Sequence, residues 1–307
     1  MKAPALPPVL RPPLLQEGDV VRLVSPASFV DEGYLARLSG ILTSWKLEVQ
    51  HGTHVLCRHG FLAGTDEKRL ADLNDAFNDP TVRAVIATRG GKGSYRIAGD
   101  IDFVALRRDP KWFVGFSDNT ILHLAMQRDC GLVGVHSAVF GMAESASHKD
   151  AAGSVRAALM ETEPRVVTRS SGEPTAVLTT SGQIEGRLVG GNLDLVATAA
   201  GWALPSLKEA IVLLEAVGKH PGEVDRMLTM LRKGGCFDGV AGFAIGRFTG
   251  SSPKAEATII ALLTDHLRHM DVPVLGGLPI GHGDGMEAVR IGGPARLDAD
   301  EGRLIVL

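Results

Sequence analysis

Trp112-Phe113-Val114-Gly115-Phe116-Ser117-Asp118-Asn119-Thr120 is the stretch on which the fold turns. Its first five residues read as a buried strand, and the polar Ser-Asp-Asn-Thr that follows opens a helix running through Arg128. The same grammar recurs upstream. Ala84-Val85-Ile86-Ala87 is a buried strand that runs into Arg89-Gly90-Gly91-Lys92-Gly93, and Val20-Val21-Arg22-Leu23-Val24 ends in Ser25-Pro26-Ala27-Ser28. Helical stretches lie between these strands, near residues 34–45 and at 67–77, where Leu70, Leu73, Ala76 and Phe77 share one face. A further strand is expected at 132–136. Strands alternating with helices predict an α/β fold whose parallel sheet is covered on both faces, a doubly wound domain.

From about Glu161 the texture changes. Residues 168–182 are rich in Ser, Thr, Gly and Pro with little periodicity, which reads as a crossing linker. Beyond it come strands at 211–214 and 240–245 and a helix at 223–233, in which Val224, Met227, Leu228 and Leu231 form an apolar stripe. Short strands separated by Gly and Asp close the chain. The expected organisation is an amino-terminal α/β domain over 1–165, a linker over 166–182, and a smaller mixed α/β, β-rich domain over 183–307.

Composition narrows the function. Among 307 residues, 45% are hydrophobic and 22% charged, as in ordinary globular proteins, and a net charge of -3 offers no basic footprint for nucleic acid. The three cysteines, Cys57, Cys130 and Cys236, form no C-x-x-C pair and read as buried small hydrophobes in a reducing compartment. Prolines 4, 7, 8, 12 and 13 interrupt any apolar leader. A cytoplasmic protein with no membrane contact is expected.

Four short patterns can carry chemistry. Ser117, between a strand and a helix start, is placed either as a nucleophile at a sharp turn or as a helix N-cap. The second glycine of a G-x-S-x-G elbow is absent, since Asn119 stands there. The glycine loop 89–93 fits neither a Walker nor a dinucleotide motif; its amides suit phosphate or an oxyanion equally. Glu215 ends the apolar strand Ile211-Val212-Leu213-Leu214, where a carboxylate can orient an imidazole. His282 lies in Pro279-Ile280-Gly281-His282-Gly283, with glycines giving its ring clearance. Ser117-Asp118-Asn119 and Ser251-Ser252-Pro253-Lys254 spell S-D-N and S-x-x-K of penicillin-recognising enzymes, but in reversed order, without K-T-G, and with Pro253 expected to break the helix. His266 and His269 read as a helix surface, and no metal is assigned.

Taken in order, these pieces resemble the LD-carboxypeptidase family of serine peptidases, which includes muramoyltetrapeptide carboxypeptidases and microcin C immunity peptidases. The likeness rests on Gly18-Asp19-Val20, Ser25-Pro26-Ala27, Arg89-Gly90-Gly91-x-Gly93, Gly115-Phe116-Ser117-Asp118, Gly190-Gly191-Asn192-Leu193, Leu213-Leu214-Glu215, Asp225-Arg226-Met227-Leu228 and Gly281-His282. The resemblance implies Ser117 as nucleophile, His282 as general base and Glu215 as orienting acid, with an oxyanion hole at the amides of Asp118 and of Gly91 or Gly90. It implies a cytoplasmic homodimer without cofactor that releases terminal D-Ala from a murein tetrapeptide during wall recycling. Within the family, the alternative substrate is an aminoacyl-nucleotide toxin; outside it, the alternative is a non-catalytic phosphate- or sugar-binding module. Lys92, Ala216 and Ser137 depart from the family pattern. Arg89, Gly90 and Lys92 are candidate substrate contacts, the Lys92 ammonium being suited to a terminal carboxylate.

Overall fold

A computed structural model describes residues 7–139 and 148–307, with side chains from residue 151 in the second segment. The first sheet contains β1 (Val20–Val24), β2 (Glu48–His51), β3 (Val82–Ala87), β4 (Trp112–Gly115) and β5 (Gly134–His136), in the order 5-4-3-1-2 and all parallel. Around it lie α1 (Glu32–Ser44), α2 (Asp66–Asn78), α3 (Phe103–Arg108), α4 (Thr120–Cys130) and α5 (His148–Met160). The strand order reverses between β1 and β3. In open α/β sheets that switch point, at the carboxyl ends of the strands, is where ligands bind. The three loops leaving β1, β3 and β4 there are Ser25–Ser28, the glycine loop and the Ser117 turn.

The second sheet joins β6 (Arg165–Thr168), β7 (Gln183–Asn192), β8 (Ala210–Val217), β9 (Gly242–Thr249), β10 (Val274–Leu275), β12 (Pro294–Asp298) and β13 (Arg303–Val306), in the order 10-9-8-7-12-13-6. Strands β7 to β10 are parallel, while β12, β13 and β6 add antiparallel edges. Helices α6 (Leu193–Ala199), α7 (Pro221–Lys233) and α8 (Pro253–Leu267) cover it. The remaining strand, β11 (Val289–Ile291), leaves this sheet and pairs antiparallel with β5 of the first.

One apolar core runs between the two sheets. Leu73, Phe113 and Leu122 of the first region pack in the same cluster as Val196, Val212, Leu228 and Phe243 of the second. At roughly 25 cal/mol per Å² of buried apolar surface, such a core gives the two sheets a fixed relation rather than a loose hinge.

Three local expectations need correction. Residues 166–182, expected as a crossing linker, carry β6 and a 3₁₀ turn at Pro174–Leu178, with Val167, Thr175, Ala176 and Leu178 buried. Their Ser/Thr content misleads because Thr175 and Thr180 serve as hydrogen-bond partners for the strands they cross. Pro253 does not break a helix but starts one: it occupies the first turn of α8, where its missing N–H costs nothing, with Ser252 as N-cap. His266 is not a surface residue either. It is buried and its Nε2 lies 2.9 Å from an Asp225 oxygen on α7.

Candidate active site

The turn after β4 puts Ser117 at φ 57°, a left-handed conformation that costs a non-glycine residue of order 1–3 kcal/mol. Such strain persists only where surroundings impose it. Here Gly90 presses on the turn: a Cβ on Gly90 would sit 2.8 Å from Ser117 Cβ and 2.9 Å from the Phe116 carbonyl oxygen. The N-cap position of α4 falls on Asn119, and Ser117 makes no capping bond. A cap also requires extended backbone. The capping alternative for Ser117 therefore has no structural support.

Beside the turn, the glycine loop holds Gly91 at φ 117°, with Ser28 so close that any Cβ there would collide with its hydroxyl. Ser28 Oγ accepts from the Lys92 amide at 3.1 Å. The amides of Gly91 and Asp118 have no protein acceptor among the described residues. The Asp118 carboxylate points elsewhere: it is buried and accepts the Ser94 N–H at 2.7 Å. Burial raises its pKa above the ordinary value, although Ser94, Lys92 and Arg69 pull the other way. Ser94 Oγ in turn donates to Asn119 Oδ1 at 2.9 Å, and Asn119 Nδ2 donates to the Arg89 carbonyl at 3.0 Å.

Across from this turn stands Glu215. A register shift between Leu214 and Ala216 in the pairing of β8 with β9 re-aims its side chain at the strand end, as bulges do. The residue is fully buried, wrapped by glycines: a Cβ on Gly281 would lie 2.9 Å from Glu215 Cβ, and one on Gly246 3.3 Å away. Its Oε2 lies 2.9 Å from Nδ1 of His282, and Oε1 accepts from Asn192 Nδ2 at 3.1 Å. Burial on its own would raise the carboxyl pKa. The hydrogen bond and charge of His282, with His136 and Asn192, outweigh burial and leave it lowered. An ionised carboxylate only accepts, so Nδ1 of His282 carries the proton in that hydrogen bond.

His282 itself is held by β9. Thr249 Oγ1 donates to its carbonyl at 3.0 Å, and the Arg247 amide donates to the Ile280 carbonyl at 2.8 Å. The Arg247 guanidinium lies against Gly283 and pairs with Glu173 at 2.7 Å, so the stretch expected as a linker supports the histidine loop.

The two sides meet through an aromatic stack. The Phe116 ring, immediately before Ser117, has its centroid 4.5 Å from that of His282 and 5.2 Å from that of His136. Thr120 Oγ1 accepts the Asn192 amide at 3.1 Å. His136 Nε2 lies 3.9 Å from Glu215 Oε1, but burial lowers its pKa to about 4. It is neutral near pH 7, and the contact is not an ion pair.

Sequence reasoning singled out Ser117, Glu215 and His282, and the fold gathers the turn, the acid and the imidazole in one place. Lys92 is exposed on the loop, its Nζ 3.7 Å from Asp194 Oδ2, and Lys219 pairs with that same carboxylate. Arg89 gives its carbonyl to Asn119, while its buried Nε has no hydrogen-bond partner. Asn192, His136 and Phe116 had been assigned no role. For Asn192 the signal was present: like Glu215, it ends a run of sheet residues, and the two are paired across β7 and β8. No group of three or more His, Cys, Asp or Glu among the described residues is placed to hold a metal ion.

The model of the LD-carboxypeptidase N-terminal domain matches residues 21–137, and that of the LD-carboxypeptidase C-terminal domain matches residues 185–297. A putative carboxypeptidase of Streptomyces coelicolor is 37% identical over 96% of both chains. A probable murein peptide carboxypeptidase of Bacillus subtilis is 33% identical over 96% of this chain and 94% of its own. Among solved structures, an MccF-like protein from Bacillus anthracis superposes with a TM-score of 0.86 at 24% identity, covering 97% of this chain and 99% of its own, and so shares the fold. The chain belongs to the LD-carboxypeptidase family and is a serine-type enzyme of that kind.

Proposed function

We propose that this enzyme cleaves an L,D-peptide bond to release terminal D-Ala from murein tetrapeptide, using Ser117, His282 and Glu215. The observation that carries the reading is the buried Glu215 carboxylate bonded to Nδ1 of His282 while the imidazole packs on the residue next to Ser117. Nε2 of His282 takes the proton from Ser117 Oγ as that oxygen bonds to the scissile carbonyl carbon. The carbonyl oxygen, now negative, is stabilised by the Gly91 and Asp118 amides; losing one such donor typically costs about 2.7–4 kcal/mol. His282 then returns the proton to the D-Ala nitrogen, the C–N bond breaks, and an acyl-Ser117 ester remains. Water, deprotonated by His282, attacks the ester and restores Ser117. Glu215 stays ionised throughout and stabilises the transient imidazolium.

The murein substrate is supported by the name of the Bacillus subtilis relative. Cytoplasmic wall recycling and a homodimer belong to the same reading and rest on the family likeness; no helix among the described residues is long and apolar enough to cross a membrane. The deciding experiment supplies purified L-Ala-D-Glu-diaminopimelate-D-Ala peptide and measures released D-Ala. Release that disappears in Ser117→Ala is expected. Activity only on an aminoacyl-nucleotide substrate would replace the murein reading, and no turnover with either, together with no labelling by a fluorophosphonate, would overturn both.

A further inference from the structure

Arg69 is an arginine in the first turn of α2 with 1% of its surface exposed, a position at which a permanent cation needs compensation. Its Nη1 donates to the Gly93 carbonyl at 3.0 Å and also to the Pro26 carbonyl, and its Nη2 donates to Asp66. Asp66 is shared with Arg96, whose Nε lies 2.9 and 2.8 Å from its two oxygens. The amide that follows the Gly93 carbonyl is Ser94 N–H, and it donates to the buried Asp118 carboxylate at 2.7 Å. These two contacts grip one peptide unit from opposite ends, a cation on its oxygen and a carboxylate on its N–H.

We propose that Arg69 is a positioning residue of the reaction. With the Asp118 carboxylate it clamps the Gly93–Ser94 peptide and thereby fixes the glycine loop that offers the oxyanion hole. The inference rests on the Ser117 reading given above. Gly90 and Gly91 have no side chains with which to hold themselves: Ser28 holds the loop midway, its N–H on the Gly90 carbonyl at 3.4 Å and its Oγ on the Lys92 amide, and the loop is gripped again at both ends. One end is the Arg89 carbonyl, bonded to Asn119; the other is the clamped peptide. Asp118 contributes twice: its carboxylate holds the loop and its own amide is the second oxyanion donor. Arg69 therefore acts together with Ser28 on the distance between the two donors, and it ties the loop after β1, through Pro26, to the loop after β3. The planar fork is needed, because a lysine ammonium cannot address two carbonyls and a carboxylate in one plane. A displacement of about 1 Å at a catalytic group costs on the order of 100-fold in rate.

The test compares the full-length wild type with Arg69→Lys and Arg69→Ala in the D-Ala release assay, with peptide boronic acid and unreactive product peptide as binding probes. The boronate adduct places an oxygen in the oxyanion position, whereas the product peptide does not. For Arg69→Lys, kcat is expected to fall about 30- to 100-fold, with KM changed less than about threefold. Boronate affinity should fall in parallel with kcat and product affinity should hold. Millimolar guanidinium should restore part of kcat to Arg69→Ala; if that variant does not fold, the lysine variant decides. A folded Arg69→Lys enzyme with wild-type kcat, or with equal losses for boronate and product, overturns the clamp. Wild-type turnover that survives Ser117→Ala would instead remove the serine reading beneath it, so the two failures are distinct.

Discussion

On the side of the first sheet the groups that the proposed reaction uses are backbone: the strained Ser117 turn, and the Gly91 and Asp118 amides. On the side of the second sheet they are side chains linked in series, Asn192 to Glu215 to His282. A backbone-built half depends on turn geometry and on the absence of Cβ atoms at Gly90 and Gly91, so a neighbour such as Lys92 is free to vary. A series of side chains depends on every member, because removing one leaves a buried partner unsatisfied. The difference teaches where substitution is tolerated: beside the nucleophile, not behind the histidine.

The strongest test of this contrast removes the one side chain of the first half that reacts in the proposed mechanism. Ser117→Ala should lower kcat by roughly 10⁴–10⁶ while leaving the melting temperature within a few degrees, since a single Oγ is lost. Retention of more than a trace of turnover would reduce that half to scaffold. Next, Glu215→Gln keeps the size of the acid but cannot stabilise an imidazolium, and kcat should drop about 10³- to 10⁴-fold with little change in KM. An unaltered kcat would mean that the series of side chains is structural.

A third expectation concerns acid. Burial lowers His123 to about 3 and His136 to about 4, so both are neutral in the folded protein where the unfolded chain, near 6.5, binds protons. The stabilisation is complete above about pH 6.5 and is lost as pH falls towards 4. Glu215, also lowered, loses its contribution in the same direction. Near pH 5 the two imidazoles alone should give a slope approaching about 2.7 kcal/mol per pH unit, read from denaturant midpoints. A flat profile between pH 6.5 and 4.5 would show that these rings are solvated. The smallest effect is expected at Lys92, whose ammonium already leans on Asp194. Lys92→Met should raise KM for a free-acid peptide about threefold, leave the carboxy-terminal amide unchanged, and shrink the wild-type preference with salt. Equal changes for both peptides would assign Lys92 to the solvated surface.

The contrast also explains what could be read from sequence. Glycines at 90 and 91 and a serine between strand and helix are written locally, because turn geometry restricts residue type over a few positions. Glu215 was read as the end of an apolar strand and His282 as an imidazole between glycines, their roles came only as what the family resemblance implies, and their bond depends on a register shift and on a loop held by Thr249 and Arg247. His136 had to wait for the fold, and Asn192 was given no role although it ends a run of sheet residues as Glu215 does. A residue that acts through a partner in another strand leaves no spacing rule behind it. The start of α8 was misread because proline was weighed as a breaker rather than as a first-turn residue.

Strand β11 has a consequence in time. It completes the first sheet by pairing Val289 with His136, although about 150 residues separate them. At roughly 5–20 residues per second, β5 leaves the ribosome about 8–30 seconds before its outer neighbour is made. During that interval the nascent first domain has a bare sheet edge, and His282 is not yet made to stand opposite Ser117. On the proposed mechanism, synthesis itself therefore delays hydrolytic competence until nearly the whole chain has emerged, and a chain that stalls early lacks the imidazole.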